Sequence, residues 1–345
     1  MHKPATILSI ANELNITAAT VSRALQDHPS ISHSTKQSVL KVAAKLNYKR
    51  NRVASSLRSG KTFMIGVIIP SADTNFFGSV VHGIEKCANE KGYNVLLYQS
   101  NETHEHEIKG IETLLAAQVD GILVSVAKDT SDYVFYDDLI KKKKVPLVFF
   151  DRANDNIGIS SVVVDDYKGA YIATENLIKN GYKNIAHVSG PQHLKIFIDR
   201  KRGYEDALKN YHYSLNDQFI YEGNISIESG KKAMHHFLSL KEKPDAVFAA
   251  EDFTALGVMK ELKIHNIKIP DEFGVFGFAN ELFGEHISPT LSTIDQQTVT
   301  MGKESFELLL QIIENKNEDA VEKKIVLNPV LVLRESSQRK NIHQP

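Results

Sequence analysis

The residues best suited to chemistry fall in two places. One is the run Thr17, Ala18, Ala19, Thr20, Val21, Ser22, Arg23, where small side chains and an arginine share one short helical stretch. Arginine can take both acceptors of a guanine edge and alanine offers apolar contact to a thymine methyl, so this is chemistry for reading bases in a major groove. The other is a series of polar residues, each closing an apolar, β-branched run: Ser71, Asp73 and Asn75; Ser125; Asp151 and Arg152; Asp165 and Asp166; Glu251 and Asp252; Asn280 and Glu281. In open parallel sheets such strand ends are where small molecules are held. Covalent chemistry finds little support: these strand ends carry no nucleophile elbow, paired acid and base, or metal set, so neither an enzyme nor a cofactor is expected. Ser189-Gly190-Pro191-Gln192-His193 lacks both the lysine of a phosphate loop and the glycines of a dinucleotide fingerprint.

The first group needs two helices to position it. Thr6 can cap a helix whose Ile7, Ile10, Ala11 and Leu14 fall on one face. Asn15 tolerates left-handed backbone and breaks that helix, and Ile16 packs the turn. Thr17 caps a second helix that buries Val21 and Leu25 and exposes Ala18, Ala19, Ser22 and Arg23, as helix-turn-helix units present their second helix to base edges. A third helix starts after Ser32, with Val39, Val42, Ala43 and Leu46 inward. Two amphipathic helices of any bundle would share the pattern, but the charge distribution separates the readings. The chain as a whole carries −1, yet residues 1–62 hold ten basic residues against only Glu13 and Asp27; this segment is therefore +8 and the remainder −9. A basic head on an acidic body is the electrostatic footprint of a DNA-contacting module.

Residues 49–62 are basic and poor in apolar side chains. They read as a linker, although Val53, Ala54 and Leu57 share one face and suit a short helix once a partner supplies a surface. From Phe63 the pattern changes to short apolar strands alternating with amphipathic helices, first in MIGVIIP, YNVLLYQS, DGILVSV and PLVFFD. The alternation restarts with SSVVVDD, NIAHVSG, FIYEGN, AVFAAED and FGVFGFAN. This is the signature of parallel sheets covered on both faces, and so many strands call for two doubly wound subdomains with a cleft between them. The expected division is 1–48 for the helical domain, 49–62 for the linker, 63–163 with 295–323 for the first subdomain, and 164–294 with 324–338 for the second. Lys141–Lys144 closes a helix and needs only a solvated surface. No run approaches the roughly 18–20 apolar residues of a membrane helix, and no secretory core precedes the first helix. The single cysteine, Cys87, reads as a small buried hydrophobe and fits a reducing cytoplasm. His104 and His106 flank Glu105 at the start of a solvated helix rather than in a metal site.

SIANELNITAATVSRAL, LNYKRNRVASSL, IGVIIPSADTNFF, VDGILVSV, RKRGYEDAL, AAEDFTALGVM and ISPTLSTIDQ, in this order and spacing, resemble the lactose-repressor/galactose-repressor (LacI/GalR) family of bacterial transcription regulators over nearly the whole chain. The resemblance implies an all-α helix-turn-helix domain and an α/β body of the type I periplasmic-binding-protein kind. It also implies a cytoplasmic, nucleoid-associated homodimer on a pseudo-palindromic operator, with a small molecule in the cleft, usually a sugar or nucleobase. Carried over by position, Ala18, Ala19 and Arg23 read bases, while Thr20, Ser22, Ser32, Thr35, Tyr48 and Asn51 touch phosphates. The helix-start residues Thr6 and Thr17 complete that interface. Residues 51–59 match the hinge helix, Ala54 lies on it, and Leu57 matches the leucine that wedges into the minor groove.

In the cleft, Asp151 and Arg200 match ligand-contacting positions, and Ser71, Asn75, Phe76, Ser125, Ile225, Glu251, Phe253 and Asn280 fall on or beside others. Phe76 and Phe253 could equally be core, and Arg200 could simply pair with Asp199. Three departures touch the ligand and the hinge: Ala279 stands where the family commonly has aspartate, so that contact is either absent or supplied by Asn280 or Glu281; Arg50 replaces a frequent proline; and there is no tryptophan. The tail lacks heptads, so no coiled-coil tetramer is expected. A ligand-controlled repressor leads. A solute-binding protein shares such a body but not a basic head, and a nucleobase- or nucleoside-responsive regulator is the nearer alternative. Whether the ligand induces or co-represses is not legible.

Overall fold

The computed structural model describes residues 5–48, 60–315 and 322–339. The chain divides into two compact units, Met1–Thr62 and Phe63–Pro345. The hinge expectation for residues 51–59, with Asn51, Ala54 and Leu57, lies outside the described residues, as does Arg50.

Among its described residues the first unit holds three helices, α1 (Ile7–Leu14), α2 (Ala18–Leu25) and α3 (His33–Lys45), each started by a hydroxyl that accepts an otherwise orphaned N–H. Ser9 N–H donates to Thr6 Oγ1 at 3.3 Å and Thr6 N–H donates back to Ser9 Oγ, a reciprocal cap. Thr20 N–H donates to Thr17 Oγ1 at 3.1 Å, and Thr35 N–H to Ser32 Oγ at 3.3 Å. Asn15 ends α1 with φ +52°, as expected of a residue that tolerates the left-handed region. Ile10, Ala11, Val21, Ala24, Val39 and Ala43 form the core. Two details differ from the sequence reading. Ala24 takes the deep position and Leu25 is half-buried; Ala18, expected outward, packs against the core because it lies three residues before Val21 on the same face. Ala19 and Arg23 are exposed, and Ser22 is intermediate.

The second unit contains two lobes. The first is built on a six-stranded parallel sheet in the order β11-β5-β4-β3-β1-β2, with β1 (Met64–Ile69), β2 (Asn94–Gln99), β3 (Gly121–Val124), β4 (Leu147–Phe150), β5 (Ser161–Val164) and β11 (Lys324–Leu327). The second has a four-stranded parallel sheet, β7-β6-β8-β9, from β6 (Ile185–Ser189), β7 (Ile220–Glu222), β8 (Ala246–Ala249) and β9 (Gly274–Phe276). A small antiparallel pair, β10 (Thr293–Asp295) and β12 (Val330–Val332), lies at the crossovers. SSVVVDD supplies β5, which stays in the first sheet, and Lys324–Leu327, expected in the second subdomain, pairs with β5 as Ile325↔Val162. A fully apolar parallel strand carries no mark of which sheet receives it.

Alternation along the strands covers both faces. Ile65, Val67 and Ile69 of β1 pack with Phe77, Val80 and Ile84 of α4 (Asn75–Glu90) and Met301 of α11 (Thr298–Glu314). Ile68 faces the other way, toward Ile111 and Leu114 of α5 (His104–Ala116) and Tyr136 and Leu139 of α6 (Val134–Lys141). In the second lobe α7 (Asp166–Lys179) and α8 (Lys195–Asn210) cover one face, and α9 (Ile227–Ser239) and α10 (Asp252–Ile264) the other. Cys87 is buried in α4, where burial pushes its thiol up, so it is packing rather than a nucleophile. No helix among the described residues is long and apolar enough to cross a membrane.

Candidate effector cleft and DNA-facing helix

Both sheets point their carboxyl ends at the space between the lobes, and β1/β3 and β6/β8 are the places where the strand order reverses. Ligand crevices form at such switch points. The cleft, together with the open solvent at its mouth, takes in about 800 Å³ of empty space. Of the sequence candidates, Ser71, Phe76, Asp151, Arg200, Ile225, Glu251 and Phe253 line it, together with Ala279 and Glu281. Three do not. Ser125 stands behind Asp151, donating its hydroxyl to Asp151 Oδ2 at 3.1 Å. Asn75 is exposed at the start of α4. Asn280 is committed elsewhere: its Nδ2 donates to Asp295 at 3.0 Å and its Oδ1 accepts from Arg334 at 2.9 Å. Of the two residues beside Ala279, Glu281 lines the cleft and Asn280 does not.

Asp151, Ile225 and Ala279 have φ of +59°, +56° and +137°. Such backbone costs energy for any residue with a side chain, most for β-branched isoleucine, and it concentrates where a site must be shaped.

The charged residues interlock. Arg152 grips Glu102 with two bonds of 2.7 and 3.1 Å and donates to the Val126 carbonyl at 3.3 Å; its buried Nε makes no hydrogen bond among the described residues and stands 3.8 Å from Asp151 Oδ2. Burial raises Glu102, but the Arg152 guanidinium outweighs it and holds the carboxyl below its usual range. Arg200 does not pair with Asp199, which is held by Lys195 and Arg202. Arg200 Nε donates to Asp166 at 2.8 Å, one terminal nitrogen to the Ala250 carbonyl at 2.6 Å and the other to Gln296 at 3.4 Å, while its plane lies 3.7 Å from the centre of the Phe278 ring. Burial pushes Asp166 up to about 7, more than Arg200 can offset.

Asp151, Glu251 and Glu281 supply acceptors. Burial raises all three, opposed at Asp151 by Arg152 and Arg200 and reinforced at Glu251 by neighbouring Asp252. Asp252 itself is pushed to about 6 by burial; it accepts from Glu281 N–H at 2.8 Å and from Thr293 Oγ1 at 2.7 Å. Glu281 crosses the cleft. Its carboxylate accepts the N–H groups of Asn75 and Phe76 at 3.0 and 3.1 Å, capping a first-lobe helix from the second lobe. His193 adds a second bridge, with Nε2 2.5 Å from the Lys128 carbonyl. Aromatic faces complete the lining: Phe76 meets Phe77 edge-on, and Phe197 and Phe253 stand on the second lobe.

Sequence reasoning missed Glu102, Lys128, Asn224 and Ser226 as lining residues. Glu102, Asn224 and Ser226 follow β2 and β7, so the strand-end rule could have found them. Gln296 follows β10, an antiparallel crossover to which that rule does not apply.

On the first unit, the Arg23 guanidinium is exposed and meets no acceptor among the described residues. Lys36 is different, with Nζ 2.7 Å from Asp27.

Residues 6–51 match the family model described as bacterial regulatory proteins, lacI family, and residues 62–331 match the model of periplasmic binding proteins and the sugar binding domain of the LacI family. Catabolite control protein A of Priestia megaterium is 33% identical over 325 residues, covering 94% of this chain and 96% of that protein. The HTH-type transcriptional repressor PurR of Vibrio vulnificus is 31% identical, covering 98% of this chain and all of its own. Among solved structures, the lac repressor dimer bound to operator and the anti-inducer ONPF superposes with a TM-score of 0.86 at 26% identity, covering 97% of this chain and 99% of that one. The CelR–cellobiose complex gives 0.72 at 25% identity, covering 96% and 99%. The named relatives are regulators rather than enzymes. A helix-turn-helix unit followed by a two-lobed α/β body, matched end to end, places the chain in the LacI family of bacterial regulatory proteins, as a DNA-binding transcription regulator.

Proposed function

We propose that this regulator is a cytoplasmic, nucleoid-associated homodimeric repressor whose affinity for a pseudo-palindromic operator is set by a neutral, polyhydroxylated small molecule, a sugar or sugar derivative, held between its lobes. The observation that carries the ligand class is the convergence of the Asp151, Glu251 and Glu281 carboxylates with the Phe76, Phe197 and Phe253 rings on one cleft. Acceptors suit hydroxyl donors and phenyl faces suit the apolar side of a sugar ring; with Lys128, Arg152 and Arg200 on the same lining the charges largely balance, which suits a neutral ligand. Asp151 and Arg200 stand on different lobes and act as the central pair, with Ser125 orienting Asp151. The same rings would also accept a planar base, which keeps a nucleobase in view.

On the DNA side, α2 lies in the major groove with Arg23 and Ala19 at base edges and Ala18 behind them. The capped helix starts at Thr6, Thr17 and Ser32, with Thr20, Ser22, Thr35 and Tyr48, face phosphates. Effector changes DNA affinity only by favouring one arrangement of the lobes. The Glu281 cap and the His193 bridge are the direct contacts such a change must keep or break.

The test is selection of bound duplexes from a randomised pool, followed by titration of the selected complex with a panel of sugars and nucleosides. The expected result is an inverted repeat whose binding is shifted by a sugar. Response to nucleosides alone would replace the ligand reading, and recovery of no preferred sequence would overturn the operator reading.

A further inference from the structure

We propose that His235, Glu261 and His265 form a binding site for one divalent transition-metal ion of the zinc class, tying α9 to α10 on the second lobe. The site shares no residue with the cleft and does not rest on the reading of the effector. Glu261 lies in α10 with its side chain only 5% exposed, yet no lysine or arginine partners it among the described residues. What faces it is two imidazoles. His235 Nε2, from α9, lies 2.5 Å from Glu261 Oε1, and His265 Nε2, one turn beyond Glu261, lies 3.2 Å from the same oxygen. The rings stand nearly perpendicular, at 88°.

The meeting is set by the backbone. Gly230 of α9 and Gly257 of α10 are the point of closest approach: a Cβ on Gly230 would sit 2.1 Å from the Thr254 carbonyl oxygen, and one on Gly257 2.0 Å from that of Ile227. Only glycine permits this crossing. His235 and Glu261 come just over one turn and one turn further along their helices, so helices drawn this close bring those two side chains together.

The three donor atoms all lie within 4.8 Å of one another. A point therefore exists about 2.8 Å or less from each, and shifts of about 1 Å bring them to the 2.0–2.2 Å of nitrogen and oxygen ligands on zinc. Two imidazoles and a carboxylate suit zinc and its neighbours and not magnesium or calcium, which prefer oxygen alone. The histidine side chains are 64% and 46% exposed, so an ion has access and keeps positions for water. The ion takes the place of the hydrogen bonds between carboxylate and imidazoles, each ring presenting Nε2 as the ligand and carrying its N–H on Nδ1. Glu251, at the start of α10, lines the cleft, whereas His265 caps its far end 14 residues on, about 20 Å away. The ion is thus a staple for the second lobe and not part of effector recognition.

The experiment uses the untagged full-length protein after chelator treatment, with Zn²⁺ alone as probe, read by calorimetric titration and thermal unfolding. One Zn²⁺ per chain should bind and raise Tm, while Mg²⁺ does neither. His235→Ala and His265→Ala should each weaken Zn²⁺ about tenfold or more, and the double variant should lose the Tm shift. Removing the imidazoles leaves the 5%-exposed Glu261 carboxylate without its partners, so the metal-free Tm of the variants should fall; the Zn²⁺ response is therefore read as the shift from each variant's own metal-free Tm, with circular dichroism as the folding control. A Zn²⁺ response equal in the parent and the double variant, or no response in the parent, overturns the site and leaves a hydrogen-bonded triad.

Discussion

Two arginines, one in each unit, show the same side chain used in opposite ways. Arg23 is exposed on a helix of a very small domain, with no acceptor among the described residues. Arg200 is 3% exposed, and all three of its nitrogens are engaged, by Asp166, the Ala250 carbonyl and Gln296. An unsatisfied guanidinium at the surface costs little because water solvates it, and it stays available to a partner outside the chain. A buried one must be satisfied from within, so it holds neighbouring groups in place and meets a ligand with its bonds already directed. The cleft accordingly offers a ligand mostly acceptors, while the DNA-facing helix offers a donor.

Substitution at Arg200 should give the largest effect. Arg200→Ala leaves the buried Asp166 carboxyl and the Ala250 carbonyl without their partner, a loss of about 3–5 kcal/mol in stability. Arg200→Lys should recover only part, because an ammonium cannot reproduce three directed bonds and the stacking on Phe278. Urea unfolding monitored by circular dichroism measures both. A loss below about 1 kcal/mol for the alanine variant would mean the network is dispensable and the contrast with Arg23 is false.

The next concerns charge held in the same lobe. Asp252 has a folded value of about 6 against about 3.9 when unfolded. For an acid raised in this way the folded state binds the extra proton, so the stability it contributes is present below about pH 4 and is lost as pH rises through about 6. His187, pushed down to about 4 by burial between Tyr204 and Phe248, acts in the opposite sense, its stability lost as pH falls below about 6.5. The difference between wild type and Asp252→Asn isolates the acid. Relative to the variant, the wild type should lose about 2 kcal/mol between pH 4.5 and pH 8. Parallel unfolding curves across that range would show that Asp252 is ordinarily ionised.

Arg23→Ala should do the reverse of Arg200→Ala. Stability should change by no more than about 0.5 kcal/mol, since the side chain has no internal partner to abandon. Specific DNA affinity should fall by about 1–3 kcal/mol, with preference relaxed at one position in each half-site. Equal losses on selected and scrambled duplexes in gel-shift titrations would remove the base-reading role.

What the sequence made legible follows from range. Thr6, Asn15, Thr17 and Ser32 act on backbone within three or four residues, so their caps and turn could be read directly. The strand-end polar residues could be read because every parallel strand ends on the same side of its sheet. Arg200 was ambiguous because Asp199 is adjacent while its true partner, Asp166, lies 34 residues away. The commitment of Asn280 needs Arg334, 54 residues on, and the bridge from Glu281 to Phe76 spans 205. The sheet that receives Lys324–Leu327 and the meeting of His235 with Glu261 are likewise decided by packing between distant elements, which no local pattern records.

The smallest expected effect sharpens the comparison, because Lys36 shares Arg23's domain and charge but not its freedom. Its side chain is 17% exposed, against 91% for Asp27, and Nζ reaches both the Asp27 carboxylate at 2.7 Å and the Asp27 carbonyl at 3.0 Å. That ammonium in turn holds the Asp27 carboxyl below its usual range. Asp27 sits at φ +54° in the turn between α2 and α3, so the lysine braces the segment that sets where α3 begins. A cation so engaged has to leave two acceptors to reach a phosphate. Lys36→Ala should therefore weaken binding to all duplexes slightly and alike, leaving the slope of log affinity against log salt unchanged, whereas a true phosphate contact would reduce that slope by about 1. A reduced slope would show that Lys36 abandons Asp27 on the operator, and position within the domain rather than prior engagement would then decide which cations meet DNA.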